Sequence, residues 1–95
     1  NCRLICYIYN MRTEQLIKEI SQEVTDLLLE KNAAYGDSAL YPVGIFSKGD
    51  AVQSLCARID DKLMRVKNKG LTDLTEDTVT DLIGYLILLK AALRQ

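Results

Sequence analysis

The chain of 95 residues contains no histidine. That absence excludes Ser/His and Cys/His nucleophile pairs, imidazole ligation of haem, and zinc sites built on histidine. It has three cysteines, Cys2, Cys6 and Cys56. Their number is odd and their spacing offers no second Cys pair, so neither a disulfide framework nor a thiolate metal site is indicated, and a reducing compartment is expected. Charge of one sign is also missing. Twelve basic and 13 acidic residues leave a net charge of -1, too little for a long polyanion, whose binding rests on many successive phosphate contacts. Long apolar runs are absent as well: the most apolar stretch, Leu82 to Leu93, is interrupted by Lys90 and is too short to cross a bilayer. Residues 1–10 lack the apolar run and small-residue cleavage site of a secretory signal. A cytoplasmic protein is expected.

What is present belongs to a folded chain. Hydrophobic residues make up 48% and charged residues 26%, ordinary values for one small globular domain. A helical chain this short often completes its core by pairing with copies of itself, so a homo-oligomer is expected.

Along the chain, residues 1–10 are rich in β-branched and aromatic side chains and, taken alone, have the composition of a short strand. They precede an ordinary start at Met11, and they fit two origins: an extension that is not native, or a native arm that packs on the body or on a neighbouring subunit. Residues 11–95 form the expected single helical domain. From Thr13, a plausible N-cap, Leu16, Ile17, Ile20, Val24, Leu27 and Leu28 recur at threes and fours and predict a helix to about Ala34, ending before Gly36. Glu19 and Glu23 follow the same spacing beside this face.

Residues 35–49 hold three of the five glycines and the only proline, Pro42. They predict an irregular connection with at most one turn of helix. Fifteen residues is long for such a connection, and loops of that length are often functional.

A second helix is expected from near Ser47 or Asp50, with Asp50 and Gln53 at capping-box spacing, to a stop at Gly70. Val52, Leu55, Cys56, Ile59, Leu63 and Val66 form its predicted buried side. After a connector at 71–74, Thr75 followed by Glu76 and Asp77 marks the start of a third helix. That helix is apolar round most of its circumference and therefore needs cover from several directions.

The middle of the second helix carries the most distinctive pattern. Arg58, Asp61, Lys62 and Arg65, at i, i+3, i+4 and i+7, form a polar stripe beside Ile59, Leu63 and Val66. Such a stripe is either a solvated row of weak ion pairs or a phosphate-handling surface. On the third helix Asp77 and Asp81 are four apart, with Tyr85 one turn further. Two carboxylates at that spacing either share a Mg²⁺ ion or serve the helix start and a neighbouring cation. Were acids from the first and third helices to face cations from the second, the mixture would suit either metal-assisted attack on a phosphoanhydride or binding without chemistry. Tyr35, Tyr41 and Tyr85 are available to stack on a base.

Three blocks together carry a family resemblance: Lys31-Asn-Ala-Ala-Tyr35-Gly36-Asp37-Ser38, Arg58-Ile-Asp-Asp-Lys62-Leu-Met-Arg65, and Glu76-Asp77-Thr-Val-Thr-Asp81-Leu-Ile-Gly-Tyr85. In order and spacing, over about residues 14 to 90, they resemble the nucleotide modification associated domain proteins of phages and bacteria. These are relatives of the all-α MazG-like nucleoside triphosphate pyrophosphohydrolases. The resemblance implies an all-α, usually oligomeric bundle with a nucleotide-type ligand between helices. It implies that Lys31, Tyr35, Arg58, Lys62, Arg65 and Tyr85 bind that ligand, and that Asp61, Asp77 and Asp81 hold Mg²⁺ or ribose hydroxyls. MazG-type enzymes share a Glu-Glu-x-x-Glu stretch followed by Glu-x-x-Asp, where this chain has Glu19-x-x-x-Glu23 and Asp77-x-x-x-Asp81. Three readings stand as expectations: Mg-dependent nucleotide pyrophosphohydrolysis, non-catalytic capture of a host nucleotide immune signal by a phage protein in the host cytoplasm, and a helical adaptor whose charged stripe is only an ion-pair network.

Overall fold

The computed structural model describes residues 2–42, 44, 49–72 and 75–95. Three helices, α1 (Cys2–Tyr35), α2 (Ala51–Lys69) and α3 (Glu76–Arg94), make up the fold, and there is no strand among the described residues. The all-α expectation therefore holds.

The strand reading of residues 1–10 does not hold, because α1 runs unbroken from Cys2. No glycine or proline interrupts residues 2–35, so a helix once formed can extend one hydrogen bond at a time. A strand would need a partner, and none is present among the described residues. Thr13 is consequently no N-cap. It lies inside α1, where its hydroxyl donates to the Tyr9 carbonyl at 3.0 Å.

The helix ends where the glycine signal places it. Gly36 and Asp37 both adopt positive φ, 60° and 67°, and the Asp37 N–H donates back to the Asn32 carbonyl at 3.2 Å, the six-to-one bond of a Schellman stop. The chain then makes one turn, with the Tyr41 N–H donating to the Asp37 carbonyl at 3.0 Å. Of the two expected starts of α2, Ser47 lies outside the described residues. Asp50 caps the helix: its carboxylate accepts from the Gln53 N–H at 2.8 Å, satisfying one of the orphan donors of the first turn. Gly70, at φ 77°, closes it.

Thr75 occupies the N-cap position of α3, but its side chain makes no capping bond. The hydroxyl turns back on the connector instead, accepting from the Thr72 N–H at 2.8 Å and facing the Gly70 and Thr72 carbonyls at 3.0 and 2.9 Å. This fully buried group ties the end of α2 and the connector to the start of α3. Thr75→Val keeps the shape and removes all three contacts; we expect it to lower stability by about 1 kcal/mol, read as a drop in the midpoint of urea unfolding.

α3 packs chiefly on α2 and less extensively on α1. Gly84 makes the second contact close: a Cβ there would sit 3.1 Å from Leu28 Cδ2. Among the described residues the fully buried hydrophobic side chains are Val24 and Leu55. The expected buried side of α2 is only partly realised. Leu55 is buried and Val52, Ile59 and Val66 are half-buried, whereas Leu63 and Cys56 are exposed. Cys56 follows Leu55 by about 100° of helical rotation, which carries it off the packed face. Leu63 lies about 80° from Leu55 on the same side as Cys56.

The molecule measures 61 × 30 × 22 Å, with a radius of gyration of 16.9 Å, against about 13 Å for a compact chain of this length. The excess is α1. Every residue from Cys2 to Glu23 is exposed, because α3 meets only the C-terminal part of the longer helix.

Candidate functional site

The helical wheel of α2 decides which of its charges can act together. Ile59 and Val66 mark the packed side. Lys62 lies about 60° from Ile59, and Arg58 about 100°, whereas Arg65 and Asp61 lie further round. Lys62 is accordingly only 26% exposed and pairs with Asp81 of α3, Nζ to Oδ2 at 3.1 Å. Lys31, from the last turns of α1, reaches the other oxygen of the same carboxylate at 3.9 Å. Asp81 thus joins all three helices.

Beside this junction lies a cavity of about 350 Å³, within the range of small-molecule sites. Its apolar wall is Val24, Leu27 and Leu28 of α1 with Leu88 of α3. The polar side brings Lys31, Arg58 and Asp81 together with the rings of Tyr35 and Tyr85. Gly84 is part of the lining, and with no side chain it leaves room between Leu28 and Tyr85. Lys31, Arg58 and, through Asp81, Lys62 set three positive charges against one negative. Among the described residues Asp81 is the only acid in the lining.

Five of the nine expected site residues therefore line one space: Lys31, Tyr35, Arg58, Asp81 and Tyr85. Lys62 reaches it through its ion pair. Arg65, Asp61 and Asp77 are exposed and do not line it. Tyr41, counted among the stacking candidates, lies elsewhere, its hydroxyl accepting from Gln95 Nε2 at 2.8 Å. Glu19 and Glu23 do not face inward with the cations. Both are exposed, and Glu19 accepts from Gln15 Nε2 at 2.9 Å one turn away on α1.

For a resident metal ion the donor set is thin. Among the described residues no group of three or more Cys, Asp or Glu side chains is arranged to hold one, and both oxygens of Asp81 face ammonium groups.

Asn32, Ser38 and Thr80 complete the polar lining and were not singled out from the sequence. A signal for the wall was there: Val24, Leu27 and Leu28 precede Lys31 by seven, four and three residues, the spacing that stacks them on one helix face. No family model, curated protein or solved structure matches the chain.

Proposed function

We infer that the chain is a nucleotide-binding protein on a MazG-like helical scaffold, and that it holds its phosphate-bearing ligand without hydrolysing it. The observation that carries this reading is the excess of cations around Asp81 at the edge of an apolar cavity with two tyrosines.

The resting ion pairs suggest how a ligand is received. Lys31 is half-exposed and 3.9 Å from Asp81, an interaction worth little in water, so an arriving phosphate recruits it readily. Arg58 offers a planar fork matched to two phosphate oxygens. Tyr35 and Tyr85 supply aromatic faces for a base. Asp81, released by the lysines, becomes an acceptor for ribose hydroxyls. Capture is favoured over turnover because both oxygens of Asp81, the only carboxylate in the lining among the described residues, face ammonium groups, whereas Mg-assisted pyrophosphohydrolysis draws on several free carboxylates. For a phage-encoded chain, such retention fits sequestration of a host nucleotide immune signal.

The test is to incubate the protein with a panel of linear and cyclic nucleotides and Mg²⁺, denature it by heat, and identify the released small molecules by mass spectrometry. Intact ligand, retained equally in the presence of a chelator, is the expected result. Monophosphate and pyrophosphate would establish the hydrolase reading instead, and no retention at millimolar ligand would remove both. Asp81→Asn separates the two further. A metal ligand would be lost and turnover with it, whereas in a capture site two ammonium groups are freed, and affinity for inorganic pyrophosphate should rise about 5-fold, roughly 1 kcal/mol. Calorimetry reads the difference.

A further inference from the structure

A second cavity adjoins the first. It measures about 200 Å³ and shares part of its wall with the ligand cavity, because Ser38, Ala39 and Arg58 line both. Ser54 and Leu55 of α2 close it from below, with Pro42 and Gly44 beside them. A nucleotide seated on Lys31, Arg58 and the two tyrosines leaves this space unfilled. We propose that it receives a neutral sugar ring, so that the ligand is a nucleoside diphosphate with one sugar on its terminal phosphate; this rests on the nucleotide reading of the first cavity and extends it.

The order of side chains along α2 sets the order of groups in such a ligand. Ser54, Arg58 and Lys62 follow one another at i, i+4 and i+8, rising along the helix in steps of about 6 Å. Ser54 lines the second cavity alone, Arg58 lines both, and Lys62 pairs with Asp81, which lines the first alone. A molecule laid in this direction meets two aromatic rings, then an acceptor carboxylate, then cations, then a recess with hydroxyls. That is the order base, ribose, diphosphate, sugar. Arg58 stands at the boundary and is exposed, so the partition between the cavities ends in a planar fork that bridging phosphates can engage.

The two spaces differ in chemistry. Leucines and two tyrosines of the first suit a base, whereas among the described residues no aromatic ring lines the second. Its side-chain polar groups besides Arg58 are the hydroxyls of Ser38 and Ser54, each able to donate one hydrogen bond and accept others. Leu55 and Pro42 offer apolar surface to the C–H face of a ring. Arg58 is the only charged side chain there among the described residues, and the phosphates engage it, so the end group is neutral. Size agrees. The volume falls below the roughly 300–1,000 Å³ of sites for drug-sized molecules, which leaves room for one ring and none for a second nucleoside.

Titration calorimetry of the full chain compares ADP, GDP and UDP with ADP-ribose, GDP-mannose and UDP-glucose. At least one linked form should bind about 10-fold more tightly than its unlinked parent, the gain that follows from one or two added hydrogen bonds. Ser54→Leu fills the recess, and leucine suits a helix better than serine; with it the preference for the linked form should vanish or reverse. Ser54→Ala removes only a hydroxyl and should narrow the preference by about 5-fold. Circular dichroism checks that both variants keep their helices, and if Ser54→Leu does not fold, Ser54→Ala decides. Diphosphates that bind equally well with and without a sugar would overturn the sugar subsite and leave the nucleotide reading standing. No binding by any of these compounds at millimolar concentration would remove both. A preference that survives Ser54→Leu, or diadenosine diphosphate bound as tightly as ADP-ribose, would also overturn the proposal.

Discussion

Arg58→Ala should weaken nucleotide binding by about 10- to 100-fold, the loss that follows when a charge-assisted hydrogen-bonding group is removed from a site, roughly 1.5–3 kcal/mol. Arg58 is the cation most free to act. It lines the cavity on the rigid backbone of α2, and its exposed position means that its removal leaves no buried charge behind. Unfolding midpoints should therefore hardly move. Lys62→Ala behaves differently, because Asp81, with its side chain 27% exposed, loses its close partner at 3.1 Å. That variant should lose both affinity and some stability, and the contrast between the two is itself informative. If Arg58→Ala binds like the unaltered protein while Lys62→Ala is only less stable, the charged stripe is an ion-pair network and the ligand proposal fails. Titration calorimetry with the retained nucleotide, beside thermal unfolding, makes the comparison.

Gly84→Val should lower stability by about 1–3 kcal/mol, the usual effect of forcing extra carbon into a packed contact. The first added carbon would already stand 3.1 Å from Leu28, and valine adds two more on a β-branched, stiff side chain. α1 must then move away from α3. Because Leu28, Gly84 and Asp81 belong to the same cavity, ligand affinity should fall with stability. Gly84→Ala is the control. Leu28 can yield a few tenths of an ångström, and alanine's better helix propensity, about 1 kcal/mol, offsets the crowding. Urea unfolding of the two variants distinguishes them. Equal midpoints for Val, Ala and Gly would show that α1 and α3 do not meet through Gly84.

The two predictions rest on features of different legibility. Asp50 as the cap of α2, Gly36 and Gly70 as helix stops, and the phase of Arg58 and Lys62 beside Ile59 are local. Each depends on residues within one turn of the chain, where the rules of capping and periodicity act directly. The first ten residues misled for the same reason. Their composition favours a strand, yet strand formation requires a distant partner, and helix extension requires only the turn before it.

Sequence alone determined that this protein is a chain of three helices with cations on the second and carboxylates on the third, because periodic side chains and helix-ending residues exert their effects within a few positions. Only the tertiary structure decided which of those charges meet. Packing α3 against α2 and against the C-terminal part of α1 brought Lys31, Lys62 and Asp81 together. It left Asp61, Asp77 and Arg65 in solvent and set the long N-terminal run of α1 beyond the reach of any other helix. The reason is geometric. A helix fixes the angles of its own side chains, but the distance between charges on different helices follows from how close Gly84 and Leu28 allow the backbones to come.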